Sequence, residues 1–299
     1  MKKLLKVVLT SILFCSHLFS QSEIKVISYN VLEGLGNEKK YGKSRRHKFV
    51  NWVKAQNADV IALQELYESE EKLSIDSRNW GHKYYAKFGP IGITSREPIE
   101  VVEKYKKGLW HGMLHCKTYG IDFFVLHLSP ADWKYRLKEA EIIKGIVGET
   151  MQTTDQIIVL GDFNAHSPFD AELYNQNPEL IEKYKKGSPN NSSPNLSGDF
   201  LDYSVMSSFY AFPLIDITER FIPWYKRNTF PSPILIGVWR TAGNIGRTPE
   251  RIDYILTTHE MGLKCKSVKI HNSEETDYIS DHYPIEAVFR MRMQNTPNN

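Results

Sequence analysis

Side chains able to bind a metal or move a proton recur in this chain at one kind of place, at or just after short apolar runs. Ile157-Ile158-Val159-Leu160 leads into Gly161-Asp162-Phe163-Asn164, which sets a carboxylate and an amide two positions apart, on one face of a strand end. A carboxylate there can take a proton from water, and an amide beside it can hold a substrate oxygen. Other runs end in the same manner: Ser28-Tyr29-Asn30, Leu63-Gln64-Glu65, Leu126-His127, Arg251-Ile252-Asp253 and, ahead of the last apolar run, Ser280-Asp281-His282. Gly, Asp and Asn are also ordinary turn residues: Asn30 or Glu65 alone is most often a turn residue or a solvated strand end, and a lone His127 at a strand terminus is more often a hydrogen-bonded structural residue. Asp253 resists that explanation because an unpartnered carboxylate within an apolar strand is costly. Asp281-His282 resists it because both groups would need partners within one tight turn.

Oxygen and imidazole donors without thiolates suit a hard divalent cation, and magnesium typically shares one or two carboxylates with substrate phosphates. Such an ion can polarise phosphorus and stabilise a departing alkoxide, while nearby histidines contact the phosphate or the leaving group. The chemistry expected is hydrolysis of a phosphate ester. No CxxC spacing supports a Cys/His zinc site.

The apolar runs are short and rich in β-branched residues, so strands are expected at 24–29, 60–64, 99–105, 109–117, 121–127, 157–161, 212–217, 252–256 and 285–289. Tyr119-Gly120 suggests a hairpin. Helical periodicity predicts a helix over 44–56, burying Phe49, Trp52 and Val53. It predicts another over 134–148, burying Leu137, Ile142, Ile143, Ile146 and Val147. Residues 165–250 are richer in turns, prolines and aromatics, and read as a loop-rich elaboration with a mobile loop at 188–195.

Residues 1–20 carry the basic start and short apolar stretch of a signal peptide, with cleavage expected before Gln21. Lipidation at Cys15 is disfavoured by bulky Phe14 just before it. The chain is expected to be exported, secreted or periplasmic, as a monomer with no transmembrane segment. Loss of Lys2, Lys3 and Lys6 takes the balance from 38 basic against 35 acidic residues to 35 against 35, without the net basic footprint usual in nucleic-acid binders. Residues 21–292 are expected to form one catalytic domain, with a flexible tail at 293–299. Cys116 and Cys265 remain after cleavage, and either a disulfide or two separate buried thiols accounts for them.

Together these motifs, from Ser28-Tyr29-Asn30 to Ser280-Asp281-His282, resemble those of the endonuclease/exonuclease/phosphatase superfamily, which includes deoxyribonuclease I, apurinic endonucleases, neutral sphingomyelinases and inositol polyphosphate phosphatases. The resemblance spans nearly the whole mature chain, with the motifs in the family's order. It implies an α+β fold of four layers, two mostly antiparallel sheets packed face to face between helices, with the active site at one end. It implies Glu65 as the main Mg2+ ligand (Mn2+ or Ca2+ as alternatives), with Asn30 and Asp281 in or near the coordination shell. Asp162 would orient or deprotonate the attacking water and Asn164 would contact the phosphate. His282 would meet the phosphate as an imidazolium oriented by Asp253. His127 matches the histidine of the deoxyribonuclease and sphingomyelinase branches and departs from the apurinic endonucleases. Arg251 and Arg136 are weaker candidates for phosphate contact, each with a structural alternative, and so is the basic run from Lys39 to Lys48.

The leading expectation is an exported metal-dependent phosphodiesterase of the nuclease type, acting on nucleic acid, phospholipid or sugar phosphate. The alternatives are a phosphomonoesterase, a sphingomyelinase-like hydrolase, or a catalytically silent binding module. Specificity is expected in 165–250, whose Tyr203, Phe209, Tyr210, Phe221, Trp224, Tyr225, Phe230 and Trp239 could stack on a base, a lipid or a sugar.

Overall fold

The computed structural model describes residues 21–186 and 194–292. The expected signal peptide with Cys15, most of the 188–195 loop and the 293–299 tail lie outside the described residues. Strands are numbered along the chain. β1 (Gln21–Asn30), β2 (Val60–Gln64), β3 (Tyr84–Phe88) and β4 (Ile91–Ser95) begin the first sheet. β5 (Glu100–Tyr105), β6 (Met113–Thr118), β7 (Ile121–His127) and β8 (Ile157–Asp162) begin the second. β9 (Leu196–Ser197) and β10 (Phe200–Leu201) make a small hairpin. β11 (Ile215–Asp216) and β12 (Asp253–Thr257) join the second sheet, and β13 (Cys265–Ile270) and β14 (Ile285–Arg292) the first. The sheets have six strands each, in the orders β13-β14-β1-β2-β4-β3 and β11-β12-β8-β7-β6-β5.

The period of two along each strand explains the layers. Ile24 and Val26 of β1 pack between the sheets with Phe123 and Val125 of β7 and Ile158 and Leu160 of β8. The alternate residues Ile27 and Tyr29 face the helix Arg45–Gln56 through Phe49, Trp52 and Val53. Phe124, Leu126, Ile157 and Val159 face the helix Trp133–Met151 through Ala140, Ile143 and Val147, and the helix Ser204–Ala211 through Val205, Met206 and Phe209. Both faces of the central strands are therefore covered, which is why their sequences are unbroken apolar runs. The result is a four-layer sandwich. Ile142, expected in the core, is exposed on the outer face of its helix.

Each sheet is mostly antiparallel but holds one parallel pair at its centre, β1 with β2 and β7 with β8. Tyr119 and Gly120, both at positive φ (55° and 71°), turn β6 into β7 as their sequence suggested. The run at 109–117 is strand only from Met113, because Gly108 and Gly112 at positive φ hold the preceding residues in a turn. At 212–217 only Ile215–Asp216 is strand, Phe212 closing the helix before it. Strands β3, β4 and β13 and the helix Glu70–Asn79 were not foreseen, and the 165–250 region is more ordered than a loop-rich reading implied. It contains short helices and apolar clusters of its own, such as Leu173, Tyr174, Leu180, Leu196 and Leu201. Cys116 and Cys265 are free, buried thiols that burial pushes up to about 12 and about 11. No helix among the described residues is long and apolar enough to cross a membrane.

Candidate active site

Strand register assembles the site. Asn30 is the partner of Gln64 at the end of β1 and β2, His127 of Asp162 at the end of β7 and β8, and Asp253 of Asp162 across β12. Ser28 pairs with Ile285, which brings the 280–284 turn to the same end. Asn30 continues the inner alternation of Val26, His127 that of Phe123 and Val125, and Asp162 that of Ile158 and Leu160. All three therefore project into the space between the sheets, at the end where both parallel pairs finish.

Three positions of positive φ sharpen this convergence. Gly161 lies at φ 144°, and a Cβ there would meet the carbonyl oxygen of Leu126 at 2.0 Å, so only glycine lets β8 approach β7 immediately before Asp162. Asn164 (φ 48°) and Glu65 (φ 55°) turn the chain sharply at their strand ends, the second an uncommon conformation for glutamate.

Asp162 is the hub. Its Oδ2 accepts from Asn30 Nδ2 at 2.9 Å and its Oδ1 from the Asn164 backbone N–H at 2.8 Å. His127 Nε2 lies 3.3 Å and His282 Nε2 3.8 Å from Oδ2. Burial raises the Asp162 carboxyl above its ordinary value, with His282, Asn164 and Asn30 pulling it down. Asn30 Nδ2 also reaches Glu65 Oε1 at 3.3 Å, while Glu65 Oε2 accepts from the Glu33 backbone N–H at 2.9 Å. Asn164 Nδ2 lies between Leu128 O (3.1 Å) and His127 Nε2 (3.2 Å).

His282 bonds Asp253 Oδ2 through Nδ1 at 2.8 Å. Burial alone would lower its pKa, but Asp253 and Asp162 raise it well above the ordinary value. Burial raises Asp253 to about 6 against the pull of His282. The proton of this pair belongs on the imidazole, which has a second carboxylate to face, and Asp253 remains the charged partner. The backbone N–H of Asp253 donates to Thr229 Oγ1 at 3.2 Å, and the ring of Phe230 packs on His282. His127 is held neutral: burial, and then His111, bring it down to about 3.

Two groupings could hold a cation. Ligand atoms of Asp162, Asp253 and His282 lie within 4.8 Å of one another. However, a protonated imidazole has no lone pair to offer, which argues against that set. Glu65 and Asp281 offer carboxylate oxygens, while the Asn30 oxygen accepts from Leu32 N at 3.1 Å and its Nδ2 is the atom turned to Glu65 and Asp162. Asp281 is buried, its side chain within only 3.4 Å of the Ser280 hydroxyl, and burial pushes it up to about 6, His282 opposing and Glu65 adding to the shift. A buried carboxylate, Asp281, that feels the charge of Glu65 and has so long a hydroxyl contact is complementary to a hard divalent ion.

Residues 27–282 match the Endonuclease/Exonuclease/phosphatase family. The chain belongs to this family. Membership places it among hydrolases of phosphate esters, a family typically dependent on divalent metal. An AP endonuclease from Archaeoglobus fulgidus is similar in structure, with TM-score 0.61 and 19% identity over 89% of this chain and 99% of that one. A 3'-5' exonuclease from Neisseria meningitidis gives 0.65 and 18% over 90% and 100%. A family protein from Bacteroides thetaiotaomicron gives 0.57 and 15% over 92% and 100%. At these identities the likeness is one of fold. No curated protein matches the chain in sequence.

The two arginines expected as weaker phosphate contacts are placed otherwise. Arg251 is wholly buried, 2.6 Å from Asp170 and 2.7 Å from Asp216, so its guanidinium braces the base of the elaboration. Arg136 is buried as well, donating to Ser129 O at 3.0 Å and Pro194 O at 2.8 Å. Within the basic run, Arg45 is buried and donates to the carbonyls of Val31, Leu32, Gly36 and Ile279, tying the Asn30 loop to the turn before Ser280. Arg46 pairs with Glu68 and Asp76. Of the aromatics in 165–250, Phe209 is core, whereas Phe221, Tyr225 and Trp239 are exposed.

Sequence reasoning did not single out Ser280, Gln64 or His111. Ser280 Oγ donates to Asn30 O at 2.6 Å, joining the first and last motifs. Gln64, register partner of Asn30, is fully buried with neither amide atom hydrogen-bonded among the described residues. The ring of His111 stacks on His127, centroids 3.9 Å apart. The spacing from His111 to His115 is no signal for it, since His115 pairs elsewhere, with Asp122 at 2.8 Å.

Proposed function

We propose that the chain is an exported, divalent-metal-dependent phosphodiesterase of the endonuclease type. The observation that carries this reading is the position of Asp162. On one side it is bonded to Asn30, which also touches Glu65, and on the other it faces the His282–Asp253 pair. A buried carboxylate with a raised pKa, poised between a cation site and an imidazolium, suits a base for water.

In this reading Glu65, Asn30 and Asp281 would hold the ion, Mg2+ foremost. When bound, such an ion polarises the phosphoryl group and offsets charge developing on its oxygens. Asp162 takes a proton from water, whose oxygen attacks phosphorus as the bond to the leaving oxygen breaks, and that oxygen is then protonated from solvent. His282 as imidazolium and Asn164 as amide donor bind the non-bridging oxygens. His127, neutral, can donate a hydrogen bond but holds no acidic proton to surrender, so phosphate contact suits it better than protonation of the leaving group. Nucleic acid is the favoured substrate class, since similar folds include an AP endonuclease and a Neisseria 3' phosphatase bound to product DNA hairpin.

Residues 21–299 offered bis-(p-nitrophenyl) phosphate, p-nitrophenyl phosphate, plasmid DNA and sphingomyelin, each with divalent ion or chelator, provide the test. Metal-dependent turnover of the diesters is expected. Turnover of the monoester alone would replace this reading with a phosphomonoesterase, and none at all would favour a silent binding module. Export is tested by sequencing the N-terminus of the mature protein: Gln21 is expected, and a retained Met1 would count against it.

A further inference from the structure

We propose that His111 is a positioning residue for the reaction, holding the imidazole of His127 in one orientation and one tautomer. The inference rests on the phosphoesterase reading above for its kinetic consequence, though not for its structural one. Three observations carry it. The His111 ring lies nearly parallel to that of His127, 3.9 Å between centroids and 20° between planes. His111 Nδ1 is 3.1 Å from the carbonyl oxygen of His127, so as a donor it fixes the backbone of the residue it stacks on. The turn carrying His111 is itself pinned from below: the buried carboxylate of Glu139 accepts from Trp110 N at 2.7 Å and from Ser129 N at 2.8 Å.

His127 needs such help. Its Nδ1 is buried without a partner among the described residues, and its Nε2 sits between the Asn164 amide at 3.2 Å and an Asp162 oxygen at 3.3 Å. A neutral imidazole has one N–H to place. Placing it on Nε2 lets it face the carboxylate and leaves only an acceptor unpaired at Nδ1, while the Asn164 amide keeps its bond to Leu128 O. A buried unpaired donor at Nδ1 would be the alternative, and it is the costlier state. A stacked ring restricts the rotation that would turn Nε2 away from Asp162, which preserves the surroundings that favour the Nε2–H tautomer and keeps that N–H aimed at the space above Asp162 where the scissile phosphate would bind.

The test compares His111→Phe, which keeps a ring and loses the N–H, with His111→Asn, which keeps an N–H and loses the stack, and His111→Ala, which loses both. Imidazole nitrogen NMR, assigned with His127→Gln, is expected to give one Nε2–H tautomer for His127 in the wild type and in His111→Phe, and an averaged signal in His111→Ala. In kinetics on bis-(p-nitrophenyl) phosphate, His111→Ala should lower kcat roughly 10- to 100-fold with KM little changed. The same change in a His127→Gln background should cost almost nothing, because the residue through which it acts is gone. Equal losses in both backgrounds together with an unchanged His127 signal would overturn the proposal. Should the wild type turn over no phosphate ester, the phosphoesterase reading fails, and the NMR comparison alone decides whether His111 holds His127. Should His111→Ala not fold, the Phe and Asn variants carry both comparisons.

Discussion

Asp162 and Asp253 are direct register partners across the antiparallel β8/β12 ladder, two buried carboxylates set side by side. Like charges opposite one another repel, and the arrangement persists because the His282 imidazolium lies 2.8 Å from one and 3.8 Å from the other. His282 is thus as much a condition of folding as a candidate for catalysis.

Removing that cation should expose the repulsion. His282→Gln is expected to abolish most turnover and to destabilise the protein by about 3–5 kcal/mol, as for other buried pairs stripped of one partner. Adding Asp253→Asn to it should restore much of the stability and none of the activity. Urea denaturation of the singles and the double gives the cycle; full additivity would mean that the two residues do not act as a pair.

A second prediction separates the two cation groupings. If Glu65 and Asp281 are the ligands, saturating Mg2+ or Mn2+ should raise stability, by about 3 kcal/mol at a hundredfold excess over Kd. Glu65→Gln and Asp281→Asn should abolish the rise, whereas Asp253→Asn should retain it. Thermal melts with and without chelator read this without any substrate. Loss of the rise in Asp253→Asn, with the other two unaffected, would instead favour the Asp162, Asp253 and His282 grouping.

What the sequence made legible follows from what each residue had to satisfy locally. The central strands were readable because burial on both faces demands unbroken apolar runs, as in Phe123 to Leu126. Strand β4 was not, since its pairing between β2 and β3 tolerates Gly92, Thr94 and Ser95 and leaves no such run. The residues proposed for the site were readable because costly groups stood at run ends, and Asp253 could be traced to a partner because a buried carboxylate requires one. His111 was hidden, because its partner is the ring of a residue sixteen positions away and stacking leaves no pattern in the chain. Arg251 sat beside a site motif, yet its reach is set by Asp170 and Asp216, whose convergence only the folded elaboration produces.

That placement makes Arg251 a matter of stability. Arg251→Met would leave Asp216 buried without its cation and Asp170 with the longer Arg227 pair at 3.4 Å, and a loss of about 3–5 kcal/mol is expected. Under conditions where the variant is folded, KM for a phosphodiester should stay within about twofold of the wild type, since no substrate contact is removed. A large rise in KM with unchanged stability would restore the phosphate-contact reading.

Glu250 supplies an acid-stability prediction away from the reacting groups. It is buried, and burial alone would raise its pKa, but Lys183 (2.9 Å), His166 (3.1 Å) and Tyr184 bring the carboxyl down from 4.5 to about 2. A carboxyl depressed in the folded state contributes stability that is fully present above its unfolded value and is lost as the pH falls toward its folded one. The contribution, of order 3 kcal/mol, should therefore disappear between pH about 4.5 and about 2. Glu250→Gln lacks the titrating group, so its stability should be lower than wild type at neutral pH and should flatten across that window, the two curves converging at the acid end. Parallel curves for wild type and variant from pH about 4.5 downward would mean that the Lys183, His166 and Tyr184 contacts do not hold the Glu250 charge in place.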